Sequence, residues 1–594
     1  MPFGRGSAVR EGIVLSVSQE ASTEGLKSVL SLPDEEPLLT EEQLKLALWM
    51  RDRFFCTVYD AVKAMLPAGV WLKNGKKGVG DKIVAFAELN VPAEDALDFA
   101  SSRKKRAPMQ AAVMELMASV GRASVPDLCY FTGASRATVK SLVRQELLFL
   151  SEEEVFRRPS PEAEATEGEF VLNDEQQSAF ETLRSMALSE KPGAALLYGV
   201  TGSGKTPVYI RLIQEILKLG KSAVVLVPEI GLTPQLVSIF SAHFGDRVAV
   251  LHSSLGIGER YDEWKRIREG LATVVIGTRS AVFAPVKDLG LLILDEEQER
   301  TYKSENAPRY HARDVAKFRC VQCGALLVLG SATPAVESMY SAETGKYRLC
   351  VLENRYNGRD LPRVLIADMK KELKAGNASS LSSVLRAELE KNFARGEQSI
   401  LFLNRRGAYH LVVCGECGYT FTCPRCSVSM TYHSVSGRMM CHYCGFSRPL
   451  PDKCPDCGGK LKFVGAGTQR VEEELHELYP DVRTIRMDTD TVAPVGSHEK
   501  ILDAFREEKI PVLIGTQMVT KGLDFENVTL VGVLSADQSL YGNDFRAQER
   551  TFSLITQVVG RSGRGSRSGR AVIQTFTPEN EVIRLAAAQD YRGF

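Results

Sequence analysis

Nothing in this 594-residue chain approaches the ~20 consecutive apolar residues that cross a bilayer as a helix. The N-terminus carries no basic segment followed by an apolar core, so it does not read as a secretory signal. Membrane-embedded and exported classes are set aside, and the reduced cytoplasm is the expected compartment. An excess of one charge is also missing. Lys+Arg and Asp+Glu each number 74, a formal net charge of zero. Bulk attraction for a polyanion is thereby excluded, and such binding must come from local clusters. Arg103-Lys104-Lys105-Arg106 is one, although such a run suits a solvated linker equally well. With 44% hydrophobic and 25% charged residues the composition is that of a globular protein, long enough for about four domains.

Cysteine is present and unevenly spread. Eight of the 13 lie between Cys414 and Cys457 as four C-x-x-C pairs: Cys414/Cys417, Cys423/Cys426, Cys441/Cys444 and Cys454/Cys457. Such a knuckle lets two thiolates converge on one ion, so four supply two tetrahedral all-thiolate sites. A redox motif needs one pair, and disulfides need an oxidising compartment that nothing here marks. Two structural zinc ions are therefore expected. Five residues between Cys417 and Cys423 are few for a separate hairpin, whereas the 14 between Cys426 and Cys441 suit a β-ribbon. The inner set Cys423, Cys426, Cys441 and Cys444 should hold one ion, and the outer set the other. Cys320-x-x-Cys323 has no second pair nearby and reads as free thiols at a helix end. Cys56, Cys129 and Cys350 stand unpaired.

Along the chain, Gly12 to Val17 is strand-like and Thr40 to Tyr59 reads as one amphipathic helix. Residues 72–100 look weakly structured. Val125 to Tyr130, the turn Thr132-Gly133-Ala134, and a helix N-capped by Ser135 and running to Leu147 form a helix-turn-helix pattern. Arg136, Lys140 and Arg144 repeat along one face, which favours a winged-helix DNA-binding domain over a small helical bundle. Pro159 to Gly168 reads as a linker. Beyond it lie apolar runs suited to strands buried on both faces of a parallel sheet: Val224 to Val227, Val274 to Gly277, Leu291 to Leu294 and Leu326 to Leu329. A second set follows at Ile400 to Leu403, Val512 to Gly515 and Leu530 to Val533. Two similar α/β halves are expected, with the cysteine segment inserted in the second.

Gly199-Val-Thr-Gly202-Ser-Gly204-Lys205-Thr206 follows a strand pattern and opens a helix, the setting that gives G-x-x-x-x-G-K-[ST] its meaning. Backbone N–H groups would meet phosphates, Lys205 would reach the β- and γ-phosphates, and Thr206 would bind Mg²⁺. Asp295-Glu296-Glu297-Gln298 ends a strand, where Asp295 suits the metal and Glu296 the attacking water. Gly330-Ser331-Ala332-Thr333-Pro334 ends the next.

Together these three motifs resemble those of superfamily 2 helicases. The resemblance implies further positions: an adenine-reading segment at Leu172 to Gln176, lobe-1 motifs at Pro228 to Gln235 and Gly277 to Ser280, motif V at Gly515 to Asp524, and motif VI at Gln557 to Arg564. It also implies that Arg561 and Arg564 face the γ-phosphate of ATP across a cleft, and that closing and opening of the lobes steps the protein along a single strand. Paired zinc knuckles after Asn404-Arg405-Arg406-Gly407 narrow the likeness, with Pro2-Phe3-Gly4-Arg5-Gly6 and the segment Tyr302 to Asp314. The chain resembles the bacterial replication-restart helicases of the PriA (primosomal protein N′) family.

That resemblance implies an ATP-dependent 3′→5′ DNA helicase that recognises stalled or repaired forks and promotes reloading of the replicative helicase. Its partners would be branched and single-stranded DNA, primosome proteins and single-stranded DNA-binding protein, and it would act as a monomer. Tyr302 and Tyr310 would be aromatics coupling DNA to hydrolysis, the alternative being a packed surface loop. Gln298 replaces the family's histidine while keeping a donor and an acceptor for contact with motif VI. The expected domains are a partial 3′-DNA-end-binding domain over 1–70, connector and winged helix over 71–158, and a linker over 159–169. Lobe 1 spans 170–350, lobe 2 spans 351–411 and 465–594, and the zinc insert spans 412–464. Relative to the family the chain is expected to be trimmed at both ends. The competing readings are a zinc-stabilised DNA-binding scaffold without ATP use, and a fork-remodelling duplex translocase.

Overall fold

The apolar runs become two parallel sheets, each flanked by helices. In the computed structural model the described residues are 11–17, 28–32, 34, 36–73, 76–159, 171–189, 191–229, 232–377, 379–403, 411–417, 419–426, 430–433, 436–441, 444–464, 467–488, 497–516, 519, 525–540, 544–563, 565 and 567–594. The first sheet runs Arg348–Leu352, Gly193–Gly199, Leu326–Ser331, Leu289–Asp295, Ser222–Leu226, Val274–Gly277, Val248–Leu251 from edge to edge. Every pairing is parallel, so these strands need apolar residues on both faces. Asp295 pairs with Gly330 in register, which brings the acidic and Gly-Ser-Ala-Thr motifs to the same edge as the P-loop. Ligands of open α/β sheets bind along that carboxyl edge.

The second sheet runs Arg363–Asp368, Arg570–Thr575, Val528–Val533, Gln398–Phe402, Val512–Gly515, Thr484–Met487, again all parallel. Arg348–Leu352 belongs to the first sheet, so lobe 1 extends past the expected boundary at residue 350. The crossing between lobes is the short stretch that begins at Glu353.

Residues 76–100, expected to be weakly structured, carry regular elements. Ile83–Leu89 is the middle strand of an antiparallel sheet, flanked by Arg122–Ser124 and Leu148–Glu154. Its small alanines and half-buried residues blur the alternation that would announce a strand. The helix-turn-helix follows the expected chemistry. Val125–Thr132 ends at Gly133 in the left-handed region (φ +70°), and Ser135 Oγ accepts the Thr138 N–H ahead of Arg136–Arg144. The second helix buries Val139 and Leu142 and leaves Arg136, Lys140 and Arg144 exposed.

The expected helix from Thr40 to Tyr59 is two helices. Glu41–Phe54 stops because Phe55 turns left-handed (φ +52°), and a second capping box at Thr57 and Asp60 starts Val58–Met65. Residues 11–17 form no strand. The first helix docks on lobe 1 through a buried contact: Arg319, 1% exposed, donates to both oxygens of Glu42 and to Val282 O, while Gln43 Nε2 donates to Phe283 O. Of the linker expected over 159–169, all but residue 159 lies outside the described residues. Among the described residues no helix is long and apolar enough to cross a membrane.

Candidate nucleotide cleft and zinc sites

The P-loop lies between the strand Gly193–Gly199 and the helix Lys205–Lys218. Gly204 has φ +77°, and a Cβ there would fall 2.3 Å from Gln176 Nε2, so only glycine fits. Lys205 Nζ donates to Gly199 O at 3.0 Å. Thr201 Oγ1 and Ser203 Oγ are buried in this loop without a hydrogen-bond partner, polar atoms that a phosphate would satisfy. Orphaned hydroxyls in a glycine cradle at a helix N-terminus fit a polyphosphate. Gln176 does not face an open cleft. It is fully buried, its Oε1 accepts the Asn173 N–H, and its Nε2 donates to Ser203 O and Gly204 O at 3.0 Å each.

The four residues of the acidic motif have four different jobs. Asp295 Oδ1 accepts the Tyr209 hydroxyl at 3.0 Å; burial and then the neighbouring Glu296 push its carboxyl up to about 6, with Lys205 acting against them. Such a half-buried acid pair beside the P-loop suits a divalent cation, which would supply the positive charge the site lacks. Glu296 adopts a left-handed backbone (φ +48°), and its Oε2 accepts from Gln298 Nε2 at 2.7 Å and from Gln557 Nε2 at 2.9 Å. Glu297, 1% exposed, is structural: Arg313, Ser338 Oγ and the Ala335 N–H all donate to it. Gln298 Oε1 accepts Ser331 Oγ at 2.6 Å, so it bridges motif II to motif III. Among the described residues Gln298 itself makes no hydrogen bond to motif VI. That contact comes from Gln557 reaching Glu296, a residue the sequence placed in motif VI without a partner.

Lobe 2 closes on this edge. A Cβ at Gly560 would meet Thr201 Oγ1 at 2.1 Å, so the P-loop tip and motif VI touch at a glycine. Thr333 Oγ1 and Ser553 Oγ lie 2.6 Å apart, and the Tyr591 hydroxyl donates to Pro334 O. Arg561 is partly buried beside this contact. Arg564, Asn404 to Gly407, and the motif V residues Gln517, Met518 and Lys521 to Asp524 lie outside the described residues.

The tyrosines after motif II are not base platforms. Tyr302 is fully buried, its hydroxyl 2.6 Å from Asp295 O and 3.0 Å from Leu226 O. Tyr310 is 5% exposed and packs edge-on against Phe283. Buried hydroxyls take backbone partners, and here one braces the strand ends under motif II. Arg279 of the Gly277 to Ser280 motif donates to Thr301 O and Lys303 O, on either side of Tyr302. A continuous set of contacts thus links that motif to Asp295.

The cysteines gather as the spacing indicated. Cys414, Cys417, Cys454 and Cys457 converge in one group and Cys423, Cys426, Cys441 and Cys444 in another, the sulfurs of each within 4.8 Å of one another. Leu411–Cys414 pairs with Leu461–Val464 to close the outer set, and the ribbon Thr431–His433 with Arg438–Met440 separates the inner pairs. Burial raises the Cys414 thiol, but the Cys417 and Glu416 N–H groups outweigh it and bring it down to about 7. The Phe446 N–H brings Cys444 down to about 7, while Cys426, facing Cys444, is pushed up to about 12. Four sulfurs this close cannot all be thiolates without a cation, and an all-sulfur quartet fits zinc. Cys320 and Cys323 are free thiols at the end of the helix Ala312–Cys323.

Comparison with known proteins agrees with this geometry. A DEAD/DEAH box helicase model matches residues 173–341, and a helicase conserved C-terminal domain model matches 458–566. The 3′ DNA-binding domain model of PriA matches 1–67, and the model of the PriA DNA helicase Cys-rich region matches 423–449. Replication restart protein PriA of Bacillus subtilis is 42% identical, covering 100% of this chain and 81% of that protein. The Chlamydia trachomatis protein is 38% identical (96% and 76%), and the Haemophilus influenzae protein 34% (100% and 80%). With helicase models on both lobes, and relatives matched along most of their own length, the chain belongs to the replication restart protein PriA family.

Proposed function

We propose that this member of the family is an ATP-dependent DNA helicase that moves 3′→5′ at stalled or repaired forks and promotes reloading of the replicative helicase. The observation that carries the reading is the grip on Glu296 from both lobes, by Gln298 on one side and Gln557 on the other. A carboxylate so held is oriented for a water attacking a γ-phosphate, and only while the lobes are closed. The P-loop N–H groups and Lys205 bind the phosphates; Arg561 and Arg564 stabilise charge as it develops. Magnesium, held by Thr206 and Asp295, would neutralise phosphate charge. Arg279 and Tyr302 support coupling, since a strand bound at the Gly277 to Ser280 motif bears on Asp295 through them. By family likeness the partners are branched and single-stranded DNA, primosome proteins and single-stranded DNA-binding protein, met by a cytoplasmic monomer.

An ATP-free scaffold would give the interlobe Gln557–Glu296 contact nothing to do. Unwinding of partial duplexes with a 3′ or a 5′ tail tests direction. Strand separation should need the 3′ tail and ATP, and unwinding from the 5′ tail alone would contradict the polarity.

A further inference from the structure

Gln176 has no donor left for a nucleobase. An amide has two N–H hydrogens, and both go to P-loop carbonyls, Ser203 O and Gly204 O. The residue expected to read adenine therefore clamps the loop instead. An aromatic ring stands at the same place. Tyr356, in the crossing between the lobes, donates its backbone N–H to Gly202 O at 2.9 Å. Its Cβ and Cδ2 lie 3.4 and 3.5 Å from where a Cβ on Gly204 would sit, the same point that Gln176 Nε2 approaches.

The backbone on either side of this ring is pinned. The Asn354 N–H and Nδ2 both donate to the Glu175 carboxylate, one residue before Gln176. Arg355, 4% exposed, donates to Gly560 O, Ser562 O and Gly563 O of motif VI. Three consecutive residues thus fasten the crossing to the segment before the P-loop, to motif VI and to the P-loop itself. Tyr356 nevertheless remains 53% exposed. A half-exposed ring whose backbone is held beside a phosphate cradle is placed for stacking.

We infer that Tyr356 is the stacking platform for the base of the nucleotide whose phosphates the P-loop holds. This rests on the nucleotide reading above. It assigns binding of the nucleoside to a residue outside every motif identified from the sequence.

The test is equilibrium binding of ADP and of inorganic triphosphate, measured by calorimetry without turnover. Stacking on an aromatic ring is worth enough that Tyr356→Ala should raise the ADP Kd on the order of 10-fold, with triphosphate binding unchanged. Tyr356→Phe keeps the ring and should stay within about twofold of the parent. An unchanged ADP Kd in Tyr356→Ala would overturn the assignment. So would an equal loss for triphosphate, since that marks damage to the P-loop rather than loss of a base contact. If the unsubstituted chain binds neither ligand, the nucleotide reading itself fails and this inference falls with it.

Discussion

Glu296 sits in a left-handed conformation that costs a non-glycine residue about 1 kcal/mol, and its surroundings hold it there. The Glu297 N–H donates to Gly330 O, and the side chain is fixed by Gln298 and Gln557. Gln298→Ala removes the link to Ser331 as well as one donor to Glu296. DNA-stimulated kcat for ATP should then fall about 10-fold while KM changes little, because the bridge orients a group and does not hold substrate. Steady-state kinetics decide it; a raised KM with kcat intact would mean that Gln298 acts in binding. Tyr302→Phe removes the one hydroxyl proton that Asp295 O and Leu226 O share, and should cost about 1–3 kcal/mol in urea unfolding, with DNA affinity retained. Lost DNA affinity at unchanged stability would restore the base-stacking role that the structure removes.

At the scale of elements, each zinc quartet closes through its own strands, so the two should fail separately. Cys441→Ser should release about one of two zinc ions by metal analysis and leave the outer set loaded. Loss of both ions would show that the quartets form one cooperative unit. The helix Ala312–Cys323 carries a pH dependence at its head, where His311 Nδ1 accepts the Arg313 N–H, a role only the neutral ring fills. Burial, then the Arg313 charge, pushes His311 from 6.5 down to about 4. The unfolded chain binds the extra proton, so the contribution is complete above about pH 6.5 and is lost as pH falls towards 4. His311→Asn offers a capping oxygen that does not titrate, and should remove up to about 3 kcal/mol of the stability change across that window. Equal slopes for the two proteins in urea unfolding at stepped pH would contradict the cap.

Across the whole molecule, the sequence showed what is written in spacing. The P-loop, the acidic motif, the parallel strands and the pairing of cysteine knuckles are all local patterns with a period or a fixed interval. Contacts between distant segments were not legible. Nothing in the neighbourhood of Tyr302 says that its hydroxyl meets the ends of two strands, so an aromatic in a polar loop read as exposed. Gln176 looked free to read a base because its two acceptors come from a loop 27 residues on. Phe55 broke a helix that periodicity alone would have continued, and the capping box at Thr57 was the overlooked signal. Docking of the helix Glu41–Phe54 on lobe 1 through Glu42 and Arg319 has no signature in either segment, since each looks like an ordinary charged helix face.

Together the two lobes are proposed to form one DNA-driven ATP motor. ATP hydrolysis by the full chain, with and without single-stranded and forked DNA, tests it beside Lys205→Ala, whose missing ammonium leaves the phosphates unheld. DNA should stimulate hydrolysis by the unsubstituted chain, and Lys205→Ala should show none above background while still binding DNA. Hydrolysis indifferent to DNA, or equal in the two proteins, would contradict the account.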